Sequence, residues 1–595
     1  MNILGINFGH DCSACLIVDG KIINAIEEEK ISRIKQDFGW PKHAIAILLE
    51  HNNLRPADID IVAFGGFTDK ELSRYYIQYC FSKKNKLKEY ISRVISYGTG
   101  INRFKKSQQA TIESEVRKQG FTKAKVEFYD HHLSHAVSAY YPAPVSVDLI
   151  ITADGYGDGS SFNFYIPVND EIKLLHHNDH TVSPGLFYSM ITKLLGFRAG
   201  RHEGKITGLA AYGEATPLLD SFRNLFRYEN EKLQRYPFNL AEAWKQFNMH
   251  SKLSITEKIN LETSEYACGA DYNRRAYVLF EKIKELSAGY SKENIAFACQ
   301  KVTEEIILNE IVDVKKKYEL KNNLTIGLAG GVFANVRINQ KIYELDFVKQ
   351  IFIQPAMGDS GLALGAAILS SRNHYSKSNT FSFTHTYLGP DYHESLDSFI
   401  QLVNVKLYEV TKMVNSAKPI AELLTKNKIV GFWHGSMEWG PRALGRRSMI
   451  LNTFDRGVND VLNKRLNRTE FMPFAPSVID FMAQTYMPKY IENMPAADYM
   501  TITYDVDPKY HDQLQAVVHV DGTARPQIVK KETNPYYYEI IHEFYKLTGC
   551  GAIVNTSFNV HEEPIVSSPE SAFKALADNR IDYLVLENYL ISKRS

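Results

Sequence analysis

The hydrophobic pattern of the chain begins with three short alternating segments at the N-terminus. Residues 2–29 contain LGIN, ACLIVDG and KIINAIEEE, which predict a strand, a turn, a second strand, an Asp19-Gly20 turn and a third strand. A second cycle starts near Val147, where DLIITADGYGDGSSFNFYIP again predicts a strand, a glycine-rich turn and a strand. This recurrence predicts two related halves in the first part of the chain.

Further along, the apolar spacing changes to that of helices. Residues 280–318 include IAFACQKVTEEIILNEIVDVKKK, in which apolar positions recur at helical spacing. NNLTIGLAGGVFAN then predicts a buried strand, a glycine turn and a helix start, and GDSGLALGAAILSS predicts another helix with Asp359 near its head. Strands that alternate with helices in this way place the chain in the α/β class.

The pattern also indicates a division into two domains. Residues 372–386 lose periodicity and are rich in Ser, Asn and Thr, which is typical of a linker. We therefore predict a first domain over 1–375, a linker over 376–390 and a second domain over 391–595. The last 25 or so residues are free in this scheme to pack back on the first domain. In the second domain, stretches such as EWGPRALGRRSMI and GAIVNTSFNV predict strands and loops that deliver Arg, Lys and Asn to a common pocket.

Charge argues against a protein whose main partner is a polyanion. The chain has 595 residues, 44% of them hydrophobic and 23% charged, and its net charge is only +1. Nucleic-acid-binding proteins usually carry a basic excess, so no nucleic-acid partner is expected. One local stretch, residues 82–106, is basic and partly amphipathic. It is either a solvated helix face or a flap that meets an acidic or phosphorylated acceptor.

Cysteine usage and hydropathy point to a cytoplasmic protein. Six cysteines are too few for a disulfide framework, and Cys12 and Cys15 form a CxxC that we interpret as small residues in a strand turn. The first residues already predict a strand, without the basic region and cleavage site of a signal peptide. No apolar run is long enough to span a bilayer, so no membrane association is expected.

Four side chains are candidate metal ligands. His131 and His135 are four residues apart, so on a helix both imidazoles lie on one face. Asp154 follows a predicted strand at a glycine-rich turn, and Asp359 heads a predicted helix. Two His and two Asp suit Fe(II), Mn(II), Zn(II) or Mg(II), and the ligand types do not select among them. His132 is interpreted as a packing residue or a neighbour of the ligands.

Three glycine-rich loops are candidates for binding a nucleotide. NFGH, ending at His10, and GYGDG, which contains Gly157 and Asp158, can each present backbone N–H groups to phosphate oxygens. AGGVFAN offers two glycines, an asparagine and a helix N-terminus to a nucleoside, or is simply a tight strand-to-helix turn. Its candidate residues are Gly330, Gly331 and Asn335.

A lysine in the stretch EGKITGLAAYG adds to these loops. Lys205 is either a phosphate-binding cation or a surface lysine. Together with the metal candidates, these stretches predict a site that handles the phosphates of ATP.

The ordered motifs resemble one enzyme family over nearly the whole chain. They are GHDCSA, EEEKISRIK, HHLSHA, DGYGDG, EGKITGLAAYG, GGVFAN, GDSG, EWGPRALGRRS, PFAPS, HVDGTARPQ and NTSFN. This series resembles the O-carbamoyltransferases of the NodU/CmcH type, which decorate nodulation factors, cephamycins, aminoglycosides and ansamycins. The resemblance implies an actin/hexokinase-like (ASKHA) nucleotide-binding domain followed by a YrdC-like α/β domain.

The resemblance also implies a reaction. ATP and carbamoyl phosphate are the expected co-substrates, and carbamoyl-adenylate is the expected intermediate. The second domain would cleave carbamoyl phosphate, and the carbamate would pass internally to the first domain. A closed path would protect such a short-lived species from water. The acceptor would be a hydroxyl of a small molecule, whose identity the sequence leaves open, as it does the choice between monomer and homodimer.

Residue roles follow from the matching motifs. The four metal candidates would bind Fe(II), Lys35 would contact carbamoyl-adenylate, and His10 would act as general base or fix the hairpin turn as an N–H donor. In the second domain, Arg442 and Arg525 would grip carbamoyl phosphate, because a guanidinium can hold phosphate through two hydrogen bonds. Further contacts are expected from Lys464, Arg468, Asn555 and Ser557.

One segment departs from the family pattern. LNKRLNRTEFMPFAP carries Leu466 and Met472 where we expect basic residues. Lys464, Arg465 and Arg468 lie near in sequence and are the candidate replacements.

Three other functions fit part of the sequence. A threonylcarbamoyl-adenylate or tRNA-modifying enzyme would need a basic tRNA-binding face. A small-molecule kinase of the ASKHA type would not need the HxxxH pair and would release ADP. An ATP-driven binding or chaperone module would not explain the region of Arg442 and Arg525.

Overall fold

The computed structural model describes most of the chain. It covers residues 1–66, 112–179, 183–229, 232–234, 270–375, 381–413, 417–466 and 473–594, and the single residues 110, 246 and 252. The basic stretch 82–106, Arg468 and Met472 lie outside the described residues. In the described ranges, every helix is too short or too polar to cross a lipid bilayer.

The first sheet has five strands in the order β3-β2-β1-β4-β5. The strands are β1 (Asn2–Asn7), β2 (Ser13–Val18), β3 (Lys21–Glu27), β4 (Ile61–Gly65) and β5 (Lys125–Tyr129). β1 to β3 run antiparallel, whereas β4 and β5 run parallel to β1. The predicted Asp19-Gly20 turn is present, with φ of 48° and 75°. Positive φ at both central residues matches the right-handed twist of the paired strands.

The second sheet repeats this arrangement in the order β12-β11-β6-β7-β8. The strands from this part of the chain are β6 (Leu149–Gly157), β7 (Ser160–Val168), β8 (Glu171–Asp179), β9 (Arg227–Glu229), β10 (Lys232–Gln234), β11 (Leu324–Ala329) and β12 (Val348–Ile353). β9 and β10 form a separate hairpin. The β6–β7 turn is again an Asp-Gly pair, Asp158-Gly159, with φ of 49° and 87°. Strand order and strand direction are therefore shared by the two sheets. The Asp-Gly turn is placed differently, because it joins β2 to β3 in the first sheet and β6 to β7 in the second.

Ten helices of this unit have defined bounds. They are α1 (Glu28–Ser32), α2 (Lys42–His51), α3 (His131–Tyr140), α4 (Pro184–Leu194), α5 (Glu203–Ala210), α6 (Pro217–Arg223), α7 (Ala270–Leu286), α8 (Lys292–Lys317), α9 (Val336–Tyr343) and α10 (Leu362–His374). α3 and α10 lie between the two sheets, and small residues such as Ala136, Ala363 and Ala367 form the shared core there. The predicted helical stretch 280–318 is two helices, because Gly289 takes a φ of 86° between them.

The rest of the chain is built on an eight-stranded mixed sheet. Its order is β13-β22-β21-β14-β15-β20-β16-β19, and β17 pairs with β18 apart from it. The strands are β13 (Tyr408–Lys412), β14 (Val430–Trp433), β15 (Arg447–Leu451), β16 (Ala475–Ile479), β17 (Tyr504–Asp505), β18 (Thr523–Ala524), β19 (Gln527–Val529), β20 (Ala552–Ser557), β21 (Tyr583–Leu586) and β22 (Tyr589–Lys593). The helices are α11 (His393–Leu402), α12 (Lys418–Thr425), α13 (Val458–Arg465), α14 (Ala483–Tyr486), α15 (Pro495–Asp498), α16 (Pro535–Thr548) and α17 (Pro569–Ala577). The predicted α/β class is confirmed.

The C-terminal end belongs to this eight-stranded sheet. β22 pairs with β13 on one side and with β21 on the other, and β21 also pairs with β14. The option that the last 25 or so residues pack back on the first domain is therefore wrong. The backbone N–H and C=O groups of β21 and β22 find hydrogen-bond partners within the eight-stranded sheet, so these strands are held there rather than against the first domain.

The described part of the linker is packed rather than exposed. α10 continues to His374, so the start of the aperiodic stretch is still helical. Phe381, Phe383 and Leu388 are buried in the core between the first two sheets. The Leu388 carbonyl accepts a hydrogen bond from the Ala25 N–H of β3 at 3.0 Å. Residues 381–390 therefore fix the second unit against the first.

Candidate metal centre and inter-unit cavity

The four predicted metal ligands meet at one point. His131 and His135 lie one turn apart on α3, and their Nε2 atoms are 3.9 and 3.4 Å from Asp154 Oδ2. The same two atoms are 3.8 and 3.6 Å from Asp359 Oδ1. All four ligand atoms lie within 4.8 Å of one another. Asp154 comes from β6 and Asp359 from the turn before α10, so the site forms where these elements end beside α3.

The donor set fits a divalent cation. Neither ring nitrogen of His135 has a hydrogen-bond partner, although the residue is fully buried. Such a buried polar atom normally finds a partner, and a metal ion would provide one. A set of two imidazole nitrogens and two carboxylates suits Fe(II), Mn(II) or Zn(II) better than it suits Mg(II), which prefers ligands that are all oxygen. The geometry does not distinguish among the three.

Neighbouring imidazoles stabilise the ionised form of Asp154. Burial raises the pKa of Asp154, but the adjacent imidazoles of His131 and His135 outweigh it and hold that pKa well below its ordinary value. Burial and the two neighbouring imidazoles lower the pKa of His132 to about 3, so this ring is neutral. His132 Nδ1 lies 2.9 Å from the Thr152 hydroxyl, in keeping with its interpretation as a neighbour of the ligands.

Backbone groups of two predicted phosphate loops hold Asp154 in place. The Gly155 N–H donates to Asp154 Oδ1 at 2.6 Å, and the Gly331 N–H donates to Oδ2 at 3.0 Å. Gly330 has a φ of 104°, and a Cβ there would lie 2.1 Å from the Ala153 carbonyl oxygen, so only glycine fits this turn. The AGGVFAN loop therefore supports a metal ligand, a role that the sequence did not reveal.

Asp158 and Asn335 act on nearby backbone. Asp158 Oδ2 accepts a hydrogen bond from the His131 N–H at 2.8 Å, at the start of α3. Asn335 caps α9, because its Oδ1 accepts from the N–H groups of Arg337 and Ile338. Its Nδ2 donates to Gln300 Oε1 at 2.7 Å. The alternative of a strand-to-helix turn thus describes Asn335 well.

Gly157 lets His131 enter the site. A Cβ on Gly157 would lie only 2.2 Å from His131 Cδ2. We expect Gly157→Ala to displace the imidazole, to destabilise the fold by about 1–3 kcal/mol and to weaken metal binding at least about tenfold. Metal titration of the purified protein and a thermal melt measure these two effects.

Gly155→Ala is the matched control for this substitution. Nothing lies within 4 Å of a Cβ at Gly155, and its N–H remains free to donate to Asp154. Equal metal affinity in the two variants would contradict the steric argument.

His10 stands at the open side of the metal group. Its Nε2 is 3.1 Å from Asp359 Oδ2, and its Nδ1 is 3.3 Å from Asp11 Oδ2. Burial lowers the pKa of His10, but the carboxylates of Asp359 and Asp11 outweigh it and raise that pKa to about 9. The near-neutral pKa expected for a general base is therefore absent without a cation. A cation on Asp359 would take up that negative charge and lower the pKa again.

Six other predicted residues line a single cavity between the two units. Its volume is about 320 Å³. The predicted residues on its wall are Lys35, Lys205, Arg442, Arg525, Asn555 and Ser557. Lys35 and Lys205 come from the first unit and the other four from the second. The two units therefore share a site that neither would form alone.

The cavity is suited to an anion. Five Lys and Arg side chains but only two Glu side chains, Glu562 and Glu563, lie on its wall. Burial lowers the pKa of Arg442 to about 10, which still leaves it charged at neutral pH, and its Nε has no hydrogen-bond partner. Lys205 is 7% exposed, so it is not a surface lysine. Lys35 Nζ lies 2.5 Å from Glu29 Oε1, which holds the ammonium at the cavity wall.

The amide of Asn555 positions the loop that carries Arg442. Asn555 Nδ2 donates to the Ala443 carbonyl at 3.1 Å, to Ser477 Oγ at 3.0 Å and to Gln527 Oε1 at 3.0 Å. Ser557 Oγ donates to Asn559 Oδ1 at 2.5 Å.

In the segment that departs from the family pattern, the residues that the structure describes do not supply a cation to the cavity. Leu466 is 1% exposed and belongs to the core of the second unit. Lys464 is exposed on α13 and is not among the residues that line the cavity. Arg465 pairs with Asp582 at 2.9 Å. The expectation that Lys464 contacts carbamoyl phosphate finds no support in its position.

Three further basic residues, which the sequence analysis did not single out, also line the cavity. Arg201, His202 and His561 all lie on its wall. Arg201 and His202 pair with Glu562 at 2.8 and 3.0 Å, across the two units. The signal was the RHEGK stretch, since Arg201 and His202 directly precede the motif that holds Lys205.

Two models of one protein family match the chain. Residues 2–368 match the family model described as carbamoyltransferase N-terminus, and residues 421–593 match the one described as carbamoyltransferase C-terminus. The chain belongs to the carbamoyltransferase family. The predicted relationship to the NodU/CmcH-type enzymes is confirmed, and the protein is a carbamoyl-transferring enzyme.

Relatives resemble the chain over its full length. An uncharacterized protein of Synechocystis sp. is 30% identical over 100% of this chain and 97% of its own length. The nodulation protein NolNO of Sinorhizobium fredii is 30% identical over 99% of this chain and 80% of its own. The 3'-hydroxymethylcephem-O-carbamoyltransferase of Streptomyces clavuligerus is 22% identical over 94% of this chain and 93% of its own.

One solved structure shows a weaker likeness. The phosphate- and nucleotide-bound form of HypF covers 31% of this chain and 22% of its own length, with 17% identity and a TM-score of 0.22. That score is too low to argue from.

Proposed function

We propose that this carbamoyltransferase is an ATP-dependent O-carbamoyltransferase that works through carbamoyl-adenylate. The observation that carries the proposal is the shared cavity, where cationic side chains of both units converge beside the loop that supports the metal ligands. Ala334 of that loop and Val336, the first residue of α9, line the cavity, and the N–H of Gly331 in the same loop donates a hydrogen bond to Asp154. Carbamoyl phosphate and the phosphates of ATP are the anions that this arrangement would hold.

The first step takes place at the second unit. Arg442 and Arg525 bind the phosphate of carbamoyl phosphate and stabilise the charge that develops on it. A water oxygen bonds to the carbamoyl carbon, the carbon–oxygen bond to phosphate breaks, and carbamate and phosphate result. Release of carbamate into a cavity that the second unit shares with the first limits its decomposition in bulk water.

The second step takes place on the first unit. A carbamate oxygen bonds to the α-phosphorus of ATP and pyrophosphate leaves, which produces carbamoyl-adenylate. Lys35 and Lys205 lie where they can stabilise the negative charge of the phosphates. The cation held by the two histidines and two aspartates, for which we propose Fe(II), would orient phosphate oxygens and polarise the carbamoyl carbonyl.

Transfer to the acceptor completes the reaction. The hydroxyl oxygen of a small-molecule acceptor bonds to the carbamoyl carbon, the bond to the adenylate oxygen breaks and AMP leaves. The acceptor proton would go to His10, whose pKa a cation held by Asp359 would lower. The high reactivity of the acyl-adenylate allows a weakly nucleophilic alcohol to react.

The fold is consistent with this assignment. We propose that the two sheets of like order are the halves of an ASKHA domain, and that the eight-stranded unit is the YrdC-like domain. The division into 1–375, 376–390 and 391–595 is part of the same proposal.

A product assay tests the proposal. Purified protein is incubated with Fe(II), ATP and carbamoyl phosphate, and the nucleotides are resolved by chromatography and mass. We expect pyrophosphate together with a carbamoyl-adenylate mass, or with AMP where water takes up the carbamoyl group, all dependent on carbamoyl phosphate. ADP as the product would instead support the small-molecule kinase. ATP turnover at the same rate with and without carbamoyl phosphate would contradict both the proposed ligand of the cavity and the proposed reaction.

A further inference from the structure

A buried ion pair joins the two units next to the cavity. Lys30 is 1% exposed and Glu27 is 7% exposed. Lys30 Nζ lies 2.8 Å from Glu27 Oε2 and donates to the backbone carbonyls of Glu438 at 2.8 Å and Gly440 at 2.7 Å. The ammonium of the first unit therefore contacts three oxygens, two of which belong to a loop of the second unit.

Glu27 contacts the same loop. Its Oε1 accepts a hydrogen bond from the Gly440 N–H at 2.7 Å. Gly440 has a φ of 105°, and a Cβ there would lie 2.7 Å from the Pro355 carbonyl oxygen. The loop therefore approaches the first unit closely at this point, with both polar backbone groups of Gly440 held by the ion pair.

A carboxylate within the loop, that of Glu438, holds the other end of the loop in place. Glu438 Oε1 accepts hydrogen bonds from the N–H groups of Leu444, Arg446 and Arg447, at 2.7, 2.8 and 3.1 Å. Arg442 lies between these two anchors, two residues after Gly440, and reaches the cavity. The position of Arg442 relative to the first unit is thus set by Glu27 and Lys30.

The segment that carries the ion pair also carries Lys35. α1 ends at Arg33, whose guanidinium donates to the Pro564 carbonyl at 2.7 Å and to the Ile565 carbonyl at 2.5 Å. Glu563, which precedes them, lines the cavity, as does Lys35 two residues after Arg33. The short run from Glu27 to Lys35 therefore touches two loops of the second unit and contributes a cation of its own.

Stability alone does not account for this pair. A buried ion pair seldom stabilises a fold more than well-packed apolar residues of the same volume. The pair does fix the orientation of the loop relative to α1, because the Lys30 ammonium must contact three oxygens at once. We propose that Glu27 and Lys30 are positioning residues that hold Arg442 and Lys35 at a fixed separation, so that carbamate released at one is captured by ATP at the other. This inference rests on the proposed function.

The double variant Glu27→Gln/Lys30→Met tests it. The variant is neutral and nearly equal in volume, so burial of an unpaired charge is avoided and folding is expected to survive. Phosphate released from carbamoyl phosphate and pyrophosphate released from ATP are measured together, because pyrophosphate leaves when ATP captures carbamate. In the native enzyme we expect equal amounts. In the variant the ratio of phosphate to pyrophosphate should rise about tenfold, equivalent to roughly 1.4 kcal/mol, while the KM for ATP stays within about twofold.

Glu27→Asp covers the case in which the double variant does not fold. It keeps both charges but shortens the carboxylate arm by one methylene, so we expect a smaller rise in the same ratio. Glu344→Gln is the control, because Glu344 pairs with Lys489 of the second unit at 2.8 Å and does not line the cavity. Its ratio should equal that of the native enzyme.

The outcomes separate the two ideas. If the native enzyme forms no pyrophosphate from ATP in the presence of carbamoyl phosphate, the proposed function fails and the inference fails with it. If the native enzyme releases phosphate and pyrophosphate in equal amounts and the folded variants do the same, the positioning role is wrong while the proposed function stands. A ratio that rises equally in the Glu344 variant would also overturn it, since any loosened contact would then suffice.

Discussion

Asp359→Ala is expected to abolish both metal binding and carbamoyl transfer. The substitution removes one of four candidate ligands whose ligand atoms lie within 4.8 Å of one another, and Asp154 is then the remaining carboxylate of that group. Loss of a direct ligand should weaken metal affinity by more than about 10²-fold, the upper range for residues that only support a ligand. Carbamoyl transfer should fall by about 10³-fold or more, because a cation held there would stabilise charge in the transition state. Metal analysis by plasma mass spectrometry and the product assay measure the two effects.

His135→Ala should have the same result, with His132→Gln as the control. His135 has no hydrogen bond from either ring nitrogen, so metal coordination is the role its position supports. His132 is equally buried on the same turn of α3, but its Nδ1 contacts the Thr152 hydroxyl instead. Removal of His132 should therefore leave the metal content at the native level. A His135 variant with native metal content would show that the ligand assignment is wrong.

Local features of the site could be predicted from the sequence. The HxxxH spacing places two imidazoles on one helix face regardless of what packs around it, and an Asp-Gly pair specifies a hairpin turn by its own backbone preference. For that reason, the metal group and both Asp-Gly turns were visible before the structure. The anion-binding residues of the second unit came from motif resemblance, which locates residues but not their partners.

Long-range contacts could not be predicted in the same way. Lys30 and Gly440 are 410 residues apart, and no local pattern says that an ammonium in EEEKISRIK will face a carbonyl in EWGPRALG. Gly331 looked like a nucleoside contact because its loop is glycine-rich, whereas its N–H in fact holds Asp154. The raised pKa of His10 likewise depends on Asp359, which only the packing of α10 between the sheets brings near.

Arg442→Ala is expected to cripple the use of carbamoyl phosphate and to spare ATP binding. Among the described residues no carboxylate pairs with this guanidinium, its Nε has no hydrogen-bond partner, and its position on the cavity wall leaves it available for a bound anion. Truncating one partner of a buried charged hydrogen-bonded pair costs about 2–5 kcal/mol, so kcat/KM for carbamoyl phosphate should fall by roughly 10²-fold or more. The dissociation constant of ATP, measured by calorimetry, should change by less than about twofold, because its phosphates are expected at the first unit.

Two control variants sharpen this prediction. Arg442→Lys keeps the positive charge but loses the two parallel N–H donors, so we expect an intermediate loss of kcat/KM. Arg465→Ala removes a cation of the same unit that is paired with Asp582 and lies outside the cavity, so carbamoyl phosphate kinetics should remain native. If ATP affinity collapses in Arg442→Ala, ATP and carbamoyl phosphate share one binding site. The division of labour between the two units would then be wrong, because a single cation would serve both co-substrates.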